Sequence, residues 1–237
     1  HRPAAVAVRV LSGPPATRDP RAYEAYQRAL AALAGKTAAG GGPEQRLEAT
    51  VQLELAVALD PGFAAAWARL GTVYARRLFH DTPNPELEQR ATIAIQRALA
   101  LDPGLAEAYL ARAQLVWNLA HDFPHARAVA DLKHALELQP SLAEAHRELC
   151  KVYLHVGLID AAAAACDRAL ALDPADRTAL VRKLTALADD GRFEALFDGL
   201  IGTMVLRSAP HPVSAEALLV YAGRPGIGLS TAPSQPT

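Results

Sequence analysis

Residues 67–77, WARLGTVYARR, set Trp67, Leu70, Gly71 and Tyr74 at i, i+3, i+4 and i+7, which is one face of an α-helix. Glycine inside a helix costs about 1 kcal/mol relative to alanine, so its place on a buried stripe calls for a compensating contact. The rest of the chain suggests one. Four junctions repeat a single pattern: ALDPGFAAAW at 58–67, ALDPGLAEAY at 100–109, ELQPSLAEAH at 137–146 and ALDPADRTAL at 171–180. Their prolines, Pro61, Pro103, Pro140 and Pro174, are 42, 37 and 34 residues apart. A helix stops before each proline, which cannot extend it, and another starts just after.

Small residues recur at fixed distances from these prolines. Twelve and five residues before them stand Ala49 and Ala56, Ala91 and Ala98, Ala128 and Ala135, and Ala162 and Ala169. Ten residues after come Gly71, Ala113 and Cys150, while large residues fill offset six (Trp67, Tyr109, His146) and offset thirteen (Tyr74, Val116, Tyr153). Each unit therefore reads as two antiparallel helices, A and B, that approach at the small residues and wedge large ones beside them. Gly71 is small because a neighbouring helix lies against it.

With W-x2-L-G-x2-Y matched by Trp67, Leu70, Gly71 and Tyr74, and A…A…P by Ala91, Ala98 and Pro103, the chain resembles the tetratricopeptide (TPR) family over about residues 21–208. The resemblance implies an all-α fold, an α-solenoid of about four and a half to five helix pairs with a capping helix. Units are expected at 21–61, 62–103, 104–140, 141–174 and 175–208. The first has the glycine-rich A–B loop AGKTAAGGG (34–42). Residues 1–20 read as a linker or the remnant of an upstream domain, 21–224 as the array with a closing helix at 211–224, and 225–237 as a disordered tail. Arg112 and Lys183 depart from the family's leucine, and Leu184, Leu196 and Thr203 replace small residues of the last unit. The longer units carry their extra residues between helices A and B, in RLFHDTPNPELEQ (77–89) and WNLAHDFPHA (117–126). With DPRAYEAYQRAL (19–30) and VAVRVLSGPP (6–15), these loops also resemble the carboxyl-terminal TPR regions of bacterial signalling proteins. In those, the upstream part is a Ser/Thr kinase, a nucleotide cyclase, a winged-helix regulator or a TolB-like domain.

Composition narrows the function classes. Apolar residues make up 51% but aromatics only 5%, so the hydrophobicity is mostly alanine and leucine, which suits closely packed helices. A net charge of −1 without runs of like charge argues against a nucleic-acid or anionic-membrane surface. No apolar stretch reaches the ~18–20 residues of a membrane helix, so no membrane insertion is expected. The chain begins at His1 without a signal pattern and is expected to be a piece of something longer. A cytoplasmic location is expected, with the periplasm as the alternative. Cys150 and Cys166 are expected as two buried reduced thiols. A bond between them, the alternative, requires an oxidising compartment.

Catalytic motifs are missing: no G-x-S-x-G, P-loop or H-E-x-x-H occurs, and no enzyme activity or cofactor is expected. The pairs His80–Asp81 and His121–Asp122, with His125 nearby, offer a metal reading and a remote alternative as a metal-dependent hydrolase. Against it, these residues sit in proline-rich loops, and Asp122 before Phe123–Pro124 reads as a helix cap. Function is then expected from surface. Carried over from the family, the concave positions are Ala68, Thr72, Ala75 and Arg76, then Leu110, Gln114, Trp117 and Asn118, then Arg147, Lys151, Leu154 and His155, and last Val181, Thr185 and Ala188. The groove set taken to bind is Thr72, Arg76, Gln114, Trp117, Asn118, Arg147, Lys151 and His155. Arg147, Lys151 and His155 form an i, i+4, i+8 stripe of donors suited to an acidic peptide. The expected function is a protein-interaction scaffold for a peptide or partner domain. The alternative is a regulatory module whose partner is another domain of its own polypeptide.

Overall fold

Proline opens three of the described helices, as the sequence requires. Asp19 caps α1 (Pro20–Leu33) by accepting the N–H groups of Arg21 and Ala22, and α2 (Pro43–Leu59) also starts on proline. Four more follow: α3 (Ala64–His80), α4 (Pro85–Leu101), capped by Asn84, α5 (Ala106–Val116) and, after a 3₁₀ turn at Leu119–His121, α6 (His125–Leu138). The last are α7 (Ala143–His155), α8 (Ile159–Leu172) and α9 (Arg177–Asp189). The computed structural model describes residues 17–34, 42–80 and 84–189. Among these the fold is an all-α solenoid. Helices pair as α1–α2, α3–α4, α5–α6 and α7–α8, and the A helices α3 and α5 also pack on each other.

Each junction closes on one backbone bond, Phe63 N–H to Asp60, Leu105 to Asp102, Leu142 to Gln139 and Asp176 to Asp173, and side chains reinforce it at most of them. Asp60, Asp102 and Asp173 turn a carboxylate oxygen onto the N–H two residues on, at 2.9, 2.9 and 3.0 Å. At offset six, Trp67 Nε1–H and the Tyr109 hydroxyl donate to the carbonyls of Pro61 and Pro103, both at 3.0 Å. His146 Nε2 faces the Pro140 carbonyl at 3.2 Å. Burial pushes the His146 pKa down and favours the neutral ring, whose Nε2 must carry the proton because a carbonyl only accepts. Indole, phenol and imidazole thus do one job, which is why the position tolerates all three.

The small residues lie where helices cross. All eight alanines at offsets −12 and −5 are fully buried. A Cβ on Gly71 would lie 2.6 Å from Ile95 Cγ1, so α3 and α4 close on that glycine. Arg112 and Lys183, the departures from leucine, exchange an apolar contact for ion pairs with Asp131 (2.6 Å) and Asp167 (2.6 Å).

Three expectations need correction. Cys150 and Cys166 are not free thiols but a disulfide joining α7 to α8. Offset +10 on helix A faces offset −8 on helix B, the contact Gly71 makes with Ile95, and the two α carbons are 5.3 Å apart. Most of 77–89 is not loop: residues 77–80 lengthen α3 and 85–89 open α4. Asp122 caps nothing. It and Phe123 take left-handed conformations, φ 53° and 46°, and Pro124 precedes α6 without a side-chain cap. The linker up to residue 16, loop residues 35–41, Asp81, the second helix of unit five with Leu196 and Thr203, the closing helix and the tail lie outside the described residues.

Candidate functional site

The A helices carry most of the expected groove residues, and packing decides which remain reachable. Ala68, Ala75 and Leu110, expected on an open wall, are instead buried: Ala68 and Ala75 where α3 and α5 pack together, Leu110 in the core that α5 shares with α6 and α7. Thr72 is also inside, with 1% of its surface exposed and its hydroxyl donated to the Ala68 carbonyl at 3.2 Å. Its placement as a groove contact is therefore corrected, and Gln114, Trp117 and Asn118, expected on the open groove, are likewise buried.

Beyond that seam, charge spans the units. Arg69 and Arg76 reach from α3 to Glu144 on α7, Arg69 at 2.9 Å. Arg147 adds a bond to Glu144 at 3.2 Å and one to Asp176 at 2.9 Å. Glu148 holds Lys151 at 2.5 Å, and Arg182 on α9 donates to the Arg147 carbonyl at 3.0 Å. Burial alone would raise both glutamate pKa values. Arg69, Arg76 and Arg147 overcome this at Glu144 and hold it well below the usual carboxylate range. Lys151, Arg182 and Arg147 bring Glu148 down to about 2. Burial pushes Lys151 down despite Glu148. The expected free stripe is thus corrected: the Arg147 and Lys151 side chains, 18% and 20% exposed, already hold carboxylates of this chain.

Aromatic rings close one end of this ladder. Trp117 stacks on Phe79 at 6.0 Å and touches Phe123 at 4.8 Å and His155 at 5.2 Å. Lys151 Nζ stands 4.7 Å from the Phe79 ring and 4.6 Å from that of Trp117, within cation–π range. Asn118 works locally. Its amide donates to the Leu115 carbonyl at 2.7 Å, and its oxygen accepts the His121 N–H at 3.1 Å. Two buried atoms on this side of α5 have no hydrogen-bond partner: Gln114 Oε1 and Trp117 Nε1.

The histidines named for a metal do not converge. His121 Nε2 meets Glu88 at 2.6 Å, while His125 Nε2 meets His155 Nδ1 at 2.7 Å. The His80 side chain lies outside the described residues. Among the described residues no three metal-binding side chains gather, and no helix is long and apolar enough to cross a membrane.

No family model matches the chain, and no curated protein does. Solved structures do. A thermophilic TPR protein of Thermus thermophilus, TTC0263, superposes with a TM-score of 0.60 at 16% identity, covering 85% of this chain and 97% of its own. The fold is that of a TPR solenoid. MamA matches at 21% identity over 66% of this chain and 82% of its own, with a TM-score of 0.45. PilW, a widely conserved type IV pilus biogenesis factor, matches at 16% over 86% and 99%, with 0.43.

Within this TPR array the residues that the sequence reading missed are Arg69, Glu148 and Arg182, with Asp176, Phe79 and Phe123. A signal for the first three existed. All stand eight residues after their junction proline, so one repeat position supplies charge to the ladder in three of its units.

Proposed function

We propose that this array is a non-catalytic interaction scaffold that takes an extended, acidic peptide segment along its A-helix face. One observation carries the reading. Gln114 Oε1 and Trp117 Nε1–H are an acceptor and a donor, both buried and unpaired, three residues apart at the end of α5 and just past it. Buried polar groups are nearly always satisfied, and once the side chains that cover these two atoms turn aside a peptide unit offers the complementary pair, one N–H and one C=O. The adjoining ladder supports an acidic ligand, since it sets five cations (Arg69, Arg76, Arg147, Lys151, Arg182) against four carboxylates (Glu107, Glu144, Glu148, Asp176). A cation excess in a poorly hydrated site favours an anionic partner.

The test separates binding from folding. Gln114→Met with Trp117→Phe deletes both unpaired groups; the smaller ring leaves a gap beside Phe79 and Phe123 and lowers the melting temperature, but the array should stay folded at the assay temperature. Twelve-residue peptides are selected from a displayed random library on the wild-type array, and their affinities measured by fluorescence polarisation. The selected peptides should be rich in Asp and Glu, bind more weakly as salt rises, and lose at least tenfold in affinity to the double variant. Equal affinity for the two proteins would remove α5 from the binding site.

A further inference from the structure

We infer that this chain acts in an oxidising compartment, where the Cys150–Cys166 bond belongs to the native state and positions α7. The chain has two cysteines, and both fall on one crossing of α7 and α8, fully buried. The same crossing is occupied by Gly71 and Ile95 in unit two and by Ala113 and Leu132 in unit three, a small residue with a large one. Unit four departs from that rule with two residues of equal, middling size. Left as thiols, neither would fill the space that Ile95 or Leu132 fills; joined, they replace interdigitation with a covalent tie.

The tie matters because of what α7 carries. Glu144, Arg147, Glu148, Lys151 and His155 all project from it. This helix touches α5 only lightly and rests chiefly on α8, so the contact with α8 sets where those side chains stand. Oxidation balances as thiol–disulfide exchange. Each Sγ–H gives up a proton and an electron, the Cys150–Cys166 bond forms, and the disulfide of an exchange oxidant breaks and leaves as a dithiol. Both sulfurs are then shielded from thiol reductants, as befits a structural bond.

Two measurements on the full chain decide the matter. The protein is first exported to an oxidising compartment of a bacterial host and alkylated with a maleimide under denaturing conditions. The expected mass shows no adduct before reduction and two after it. The oxidised form should melt about 6–12 °C above the reduced form, as expected for a 16-residue separation in a chain of this size. The second measurement uses Cys150→Ala with Cys166→Leu, which copies the packing of unit three without a bond. Its amides over 143–155 should exchange faster than those of the oxidised protein. Two alkylated thiols in the exported protein, or equal protection of 143–155 in the repacked variant, would overturn the inference.

Discussion

Gly71 is the residue on which the repeat's geometry can be tested most directly. A side chain there meets Ile95 at a distance no Cβ tolerates, so either α4 moves away or Ile95 turns. Gly71→Leu is expected to lose about 1–3 kcal/mol or more through overpacking. Gly71→Ala with Ile95→Leu copies the Ala113–Leu132 pair of unit three, and the double change should cost less than its single changes added together. A thermal-melt double-mutant cycle reads that coupling, and strict additivity would mean the two side chains share no contact. At this scale the sequence was highly legible. Offsets counted from four prolines located the buried alanines, and the hydrogen bond from offset six needed only a side chain with a donor. The disulfide was less legible. Register places Cys150 opposite Cys166, but two small apolar residues can face each other with or without a bond.

At the scale of elements, helix existence was legible and helix ends were not. Pro83 and Pro85 made 77–89 look like loop, yet Pro85 is the first residue of α4, where a missing N–H costs nothing, and Asn84 caps the turn. Conversely α5 stops at Val116, six residues shorter than the 17 of α3, because Asn118 gathers the following turn around its side chain. Asp-Phe-Pro suggested a cap on Asp122, but sequence does not reveal a positive φ at two consecutive non-glycine residues. Left-handed backbone costs an ordinary residue roughly 1–2 kcal/mol, and here it places the Phe123 ring against Trp117 and His155, each 4.8 Å away. Asp122 makes no such contact through its exposed side chain. Asp122→Gly should therefore raise thermal stability, by less than about 1 kcal/mol once the greater freedom of the unfolded chain is counted. A drop in melting temperature would show that the Asp122 side chain contributes more than its backbone strain removes.

The whole molecule adds what a nearest-neighbour reading of repeats leaves out. Register could say that Gln114, Trp117, Arg147 and Lys151 face the A-helix side. It could not say that curvature brings unit four to unit two, so that Glu144 meets Arg69 and Arg76 and the expected cationic stripe is largely neutralised. That ladder should make the array sensitive to acid, with a sign that follows from the direction of the shifts. Glu148 has a pKa of about 2 in the folded chain against an ordinary 4.5, and Glu144 is also held low. A depressed carboxylate contributes stability that is fully present above its unfolded pKa and is lost as pH falls through the folded one. For Glu148 the shift corresponds to on the order of 3 kcal/mol, with little discount for solvent because its side chain is 8% exposed. The melting temperature should therefore begin to slip below about pH 6.5, where unfolding lets His146 take up a proton, and fall steeply between 5 and 2. Glu148→Gln should melt well below wild type at pH 7, because it strands Lys151 beside a neutral amide, and the two curves should converge toward pH 2. Parallel curves for wild type and variant would place the acid sensitivity elsewhere in the molecule, and the ladder would then be a consequence of the solenoid's curvature without helping to hold it.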